Sequence, residues 1–111
     1  MKLSEVKEIL KADVLCCSEL LDSEVNSACG ADLMSDVLAF SVDKSLLLTG
    51  LINPQTIRTA EMMDMRAIVY VRGKTPAPEV IELAKSREMI VLKTKYPMFE
   101  ACGRLYENGL K

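Results

Sequence analysis

The sequence predicts an α/β domain whose largely parallel sheet of about five strands carries helices on both faces. Three observations carry this reading. Ser45 to Thr49 (SLLLT), Ala67 to Val71 (AIVYV) and Met89 to Lys93 (MIVLK) are strand-length runs that are apolar throughout, the pattern of strands covered on both sides. They recur at intervals of 22 residues. Each is followed by a turn and a helical pattern, over 54–64, 78–86 and 97–107, and proline stands near the first turn of every one. Proline suits that place because the first helical N–H has no intrahelical partner.

The elements follow in order. Ser4 can cap a short amphipathic helix to Lys11, with Val6, Ile9 and Leu10 on one face. Asp13 to Cys17 (DVLCC) reads as a strand. Glu24 to Cys29 reads as another, with Val25, Ser27 and Cys29 on one side. Asp32 is placed to cap a helix to Phe40 whose Leu33, Val37 and Phe40 point inward. Asn53 and Thr75 are the natural caps of the next two helices. Tyr70 and Tyr106 read as half-buried packing residues, and the methionines as adaptable core or interface filler.

At 111 residues the chain is long enough for one domain, 1–111, with a core that needs neither metal nor disulfide. No apolar stretch approaches a membrane span, and the charged opening MKLSEVKEILK is unlike a signal peptide, so no membrane association and a cytoplasmic location are expected. Fourteen basic against sixteen acidic residues build no phosphate-neutralising face, which argues against nucleic acid. The chain has no histidine. That removes the usual general base and any imidazole metal ligand. Asp43 and Glu61 read as surface charges, leaving no recognisable acid pair for catalysis. No catalytic residue, cofactor or metal is expected.

In a parallel sheet all three strand-to-helix turns lie along one edge, where α/β folds bind ligands. That edge gathers Thr49, Gly50, Asn53, Arg72, Gly73, Lys74, Thr94 and Tyr96 as candidate ligand-binding residues. Gly50 and Gly73 permit close approach to the backbone, Arg72 and Lys74 suit phosphate or carboxylate, and Tyr96 can lie against a base. Glycine and threonine also serve tight turns on their own account. Cys16, Cys17, Cys29 and Cys102 show no CxxC spacing and read as structural thiols, Cys102 in the core, with a metal or cluster shared across a dimer as the alternative.

The stretches LLLTGLINPQTIRTAEMMDMRAIVYVRG and PAPEVIELAKSREMIVLKTKYPMFEA, with the upstream CGADLMSDVLAF, resemble the DRTGG domain. The family's Asp-Arg position falls near Ile52-Asn53 and its Thr-Gly-Gly near Val71-Arg72-Gly73, where Gly73 matches. The resemblance implies a three-layer α/β/α fold, a homodimer and a non-catalytic regulatory role. An adenine nucleotide or other phosphorylated metabolite is the ligand it suggests. Small chains of this kind resemble those found with iron-only hydrogenases, which implies an alternative role as accessory protein of a redox complex, with cysteines on an iron–sulfur cluster.

Overall fold

The computed structural model describes every residue except 41 and 43, so Asp43, read above as a surface charge, lies outside the described residues. Five strands, β1 (Asp13–Cys16), β2 (Ser27–Gly30), β3 (Ser45–Thr49), β4 (Ala67–Tyr70) and β5 (Ile90–Lys93), form one sheet in the order β1-β5-β4-β3-β2. β2 to β5 run parallel, and β1 pairs antiparallel with β5 at one edge. Helices α1 (Leu3–Leu10) and α5 (Met98–Glu107) cover one face, packing Leu3, Val6, Leu10, Ala101 and Leu105 on Leu46, Leu48, Val69 and Leu92. Helices α2 (Met34–Phe40), α3 (Pro54–Met62) and α4 (Pro78–Ser86) cover the other, packing Val37, Ile57, Ala60, Val80 and Ala84 on Leu47, Ile68 and Val91. The expected three-layer, largely parallel α/β/α architecture is what the chain adopts.

The all-apolar runs are explained by this sandwich. Alternate residues of β3 and β4 face opposite layers, and all are buried. Each leucine of Leu46 to Leu48 removed from water stabilises the fold by roughly 1.5–3 kcal/mol.

Short connections are made possible by one helix ending used four times. After α1, α3, α4 and α5 a residue turns left-handed: Lys11 (φ 49°), Asp64 (φ 57°), Glu88 (φ 54°) and Gly109 (φ 104°). The next residue, Ala12, Met65, Met89 or Leu110, is buried. Its N–H donates to the carbonyl five residues back, on Lys7, Ala60, Ala84 and Leu105, at 2.8–3.0 Å. This is the Schellman closure, in which an orphan helix carbonyl is satisfied while an apolar anchor seals the helix end. Met65 and Met89 are those anchors.

Several local expectations are corrected. α1 begins at Leu3 rather than at a Ser4 cap, and the Glu5 carboxylate accepts from the Lys2 N–H at 3.4 Å. β1 stops at Cys16 because Cys17 turns left-handed, φ 61°. β2 is Ser27–Gly30, whereas Val25 pairs with Met1 beside the sheet. Leu33 (62 % exposed) and Phe40 (78 %) face solvent, so α2 seats only Met34 and Val37. Asn53 caps α3 as expected, its Oδ1 accepting from the Gln55 N–H at 3.0 Å. Thr75 caps nothing; Ala77 precedes α4 without a side-chain bond. Tyr70 is fully buried and Tyr106 is exposed. Among the described residues no helix is long and apolar enough to cross a membrane.

The closures predict opposite outcomes at adjacent positions. Met89→Ala should cost about 2–5 kcal/mol in urea unfolding. Glu88→Gly should leave stability unchanged or raise it by up to about 1 kcal/mol, because glycine relieves the left-handed backbone at some cost in chain entropy.

Candidate functional site

The parallel register brings the ends of three strands level. Thr49 lies beside Tyr70, and Tyr70 beside Lys93. The ladder continues past the strands into the turns. The Val71 N–H donates to Thr49 O, the Thr94 N–H to Tyr70 O, the Arg72 N–H to Tyr96 O and the Gly73 N–H to Thr94 O, all at 2.8–3.0 Å. The rim is therefore one hydrogen-bonded unit.

Arg72 and Gly73 both have positive φ, 61° and 68°, and the Lys74 N–H closes their turn on Val71 O at 3.3 Å. Glycine suits such a backbone and arginine does not, costing roughly 1–2 kcal/mol. The strained turn aims Arg72 back across the rim over Gly50, where a Cβ would collide with its guanidinium. Gly50 is needed for that approach.

Between these groups sits a side chain that the sequence reading assigned elsewhere. Asp32, expected to cap α2, sends its carboxylate across to the β3 turn instead. It accepts from the Gly50 N–H at 2.7 Å, the Thr49 hydroxyl at 3.2 Å and the Arg72 guanidinium at 3.2 Å. The bond from Gly50 is the largest influence holding the Asp32 carboxyl below the usual carboxylate range; the Thr49 bond and the Arg72 charge add to it, against partial burial. Both charged side chains are about half exposed, 52 % for Asp32 and 47 % for Arg72. Three donors converge on one point, the chemistry of an anion receptor.

The other candidates divide. Gly73 and Tyr96 join the rim through the backbone, and Lys74 is exposed beside it. Thr94 is 1 % exposed, and its hydroxyl donates inward to Leu10 O at 2.7 Å, so it braces α1 and faces no ligand. Asn53 spends its side-chain oxygen on α3. One face of the Tyr96 ring is covered by the Arg104 guanidinium, 4.2 Å from the centroid, which Glu100 holds at 2.8 Å. The exposed aromatic surface at this edge is Phe99 in the first turn of α5, 92 % exposed, which is not among the candidate ligand-binding residues. Beneath the rim the Thr56 hydroxyl donates to Asn53 O at 2.8 Å, so the Tyr70 hydroxyl must be the donor in its 2.7 Å bond to Thr56.

A cleft of about 400 Å³ lies at the opposite edge, among Glu24, Asn26, Lys44, Asp64 and Arg66. Its lining mixes the cations Lys44 and Arg66 with the carboxylates of Glu24 and Asp64. Convergent donors are the stronger indication of an anion site.

The four thiols fall into two places. Cys16 and Cys17 end β1, while Cys29 and Cys102 meet the sheet at β2, the other edge. Four strand spacings, about 19 Å, separate those edges. Even Cys29 and Cys102 pack into opposite layers. Cys102 is half-buried against Gly30 rather than a full core residue. Among the described residues no group of three cysteine or carboxylate ligands is assembled. Burial pushes the Cys16 thiol up to about 11 and raises those of Cys29 and Cys102.

The Asp32 contacts predict a pH dependence. A carboxyl whose folded value is depressed contributes stability above its unfolded value, near pH 4, and loses it as pH falls through the folded value. Asp32→Asn should therefore be less stable than wild type at neutral pH, by about 1 kcal/mol or less given the exposure of the ion pair, and the gap should narrow as pH falls below the unfolded value and through the depressed folded one. Urea midpoints of both proteins across that range check it.

Comparison with known proteins agrees with this architecture. No curated protein matches the sequence. A crystal structure of the CBS and DRTGG domains of the regulatory region of Clostridium perfringens pyrophosphatase, complexed with the activator diadenosine tetraphosphate, superposes with a TM-score of 0.73. The two are 18 % identical, and the likeness, which covers 94 % of this chain and 45 % of that one, is one of fold. The DRTGG domain family matches residues 5–107, nearly the whole length. The chain belongs to the DRTGG domain family.

Proposed function

We infer that this chain is a single-domain, non-catalytic regulatory module that binds a nucleotide or other phosphorylated small ligand at the carboxyl edge of its sheet. The observation that carries this reading is the convergence of the Gly50 N–H, the Thr49 hydroxyl and the Arg72 guanidinium on one anionic group. Support comes from the related regulatory region, whose structure includes a dinucleotide activator. In this arrangement a phosphate group meets Gly50 and Arg72, Lys74 adds charge beside them, and exposed Phe99 offers a ring face for a base. With no histidine anywhere in the chain, the reading asks for recognition and no turnover.

The reading includes a homodimer. Leu33, Phe40 and Met62, on the layer of α2 and α3, are large apolar side chains left more than 60 % exposed, surface that a second copy can cover. Association with a redox complex rests on the cysteine count and on the resemblance to hydrogenase-associated chains, and the edge-to-edge separation of the thiols gives one chain no place for a four-cysteine cluster.

Calorimetric titration with ATP, AMP and diadenosine polyphosphates tests the module. Binding of at least one is expected, and Arg72→Ala should weaken it about tenfold or more, the loss expected for a charge-assisted bond. Absence of heat with every nucleotide would count against the reading. Light scattering should give about twice the 12.3 kDa chain mass.

A further inference from the structure

Asp32 fills the anion receptor that the proposed ligand needs. Resting on that reading, we propose that Asp32 is an internal stand-in for the ligand's phosphate, and that binding proceeds by exchange: the incoming anion takes Gly50, Thr49 and Arg72 as the Asp32 carboxylate leaves.

The two sides of this contact are built differently. The donors are fixed. Gly50 follows β3 directly, Thr49 is fully buried and its oxygen also accepts from the Leu51 N–H at 3.1 Å, and Arg72 is aimed by a turn bonded to the β5 loop. The acceptor is loosely held. Asp32 lies in the three-residue connection between Gly30 and Met34, its own side chain is 52 % exposed, and Leu33 beside it is 62 % exposed with no core to anchor it. Turning the Asp32 side chain outward breaks three hydrogen bonds to one carboxylate and no apolar packing, and its charge then meets water. The donors left behind would be partly desolvated and unsatisfied, which keeps the carboxylate in place until another anion replaces it. An anion arriving while Asp32 remained would face a like charge sharing the same three donors, an arrangement that interfaces avoid.

This architecture assigns the residue a role in selectivity. A tethered carboxylate competes at the high effective concentration of an intramolecular group. Singly charged anions match it poorly, whereas a di- or polyphosphate brings more charge and more acceptor oxygens than the single carboxylate it displaces. The rim thereby discriminates by charge before any base is read.

Asp32→Asn tests the exchange, because the amide oxygen still accepts from Gly50 and keeps the loop while the charge is gone. Inorganic pyrophosphate is titrated into 15N-labelled wild type and variant, with the Gly50 amide as reporter. The variant should bind about tenfold or more tightly than wild type, since the repulsion is removed and a neutral amide competes less well than a carboxylate. The gain should vanish in Asp32→Asn/Arg72→Gln. Equal or weaker binding by the variant, a gain that survives loss of Arg72, or shifts that spare Gly50 would overturn the exchange. These results separate from the parent reading: nucleotide heat in wild type without a gain in Asp32→Asn leaves a regulatory module with no stand-in, whereas a pyrophosphate gain without nucleotide binding keeps the stand-in and removes the nucleotide.

Discussion

The level parallel register of β3, β4 and β5 is the constraint on which the rest of this molecule depends. Thr49, Tyr70 and Lys93 lie abreast, and the backbone bonds that follow them tie the three turns to one another. A slip of one residue would send every side chain of a strand to the other layer. Because both layers are apolar, with Leu46 and Leu48 on one side and Leu47 on the other, such a slip is opposed less by polarity than by shape and by the helix ends. The Schellman closures therefore matter beyond each helix. Met65 stands two residues before the start of β4 and Met89 directly before β5, fixing where those strands enter.

From that frame the chemistry of the rim follows. The turn after β4 takes two left-handed residues in succession, and its backbone donors are consumed by the β5 turn. What remains to face outward is the Arg72 side chain, laid over a glycine. Strain of this kind persists only where surrounding bonds over-determine it, and here the bonds to Tyr96 O and Thr94 O do so. Below, the Tyr70 hydroxyl donates to Thr56, and Thr56 to the Asn53 carbonyl, joining β4 to the first turn of α3 through buried polar groups that are all partnered. The rim is braced from beneath, and Asp32 reaches it from an exposed connection.

The fold was legible in the sequence where burial is two-sided and continuous. The runs SLLLT, AIVYV and MIVLK admit no other reading than covered strands, and prolines at 54, 78 and 97 mark where helices begin. Legibility failed where tertiary contacts override a local rule. Asp32 has the residue type and position of a helix cap, yet the Gly50 N–H, 18 residues on, competes successfully for its carboxylate. Val25 alternates like a strand residue, but its backbone pairs with Met1 rather than with the sheet. Of the candidate site, Thr49, Gly50 and Arg72 do converge. Thr94 looked the same from the sequence, but its hydroxyl turns inward to the Leu10 carbonyl, 84 residues away. No local pattern encodes such a partner.

That same pairing of the first strand with the last has a consequence for how the protein is made. β1 adds to the sheet beside β5, with Asp13 opposite Lys93, so the first strand of this domain to be synthesised is among the last to find its place. The β2–β3–β4 unit can assemble from neighbouring crossovers as synthesis proceeds, whereas β1 waits for β5, and the layer that α1 shares with α5 stays incomplete until the last helix is made. During that interval the nascent chain carries an amphipathic helix only partly covered by its native neighbours, the kind of segment that chaperones shield.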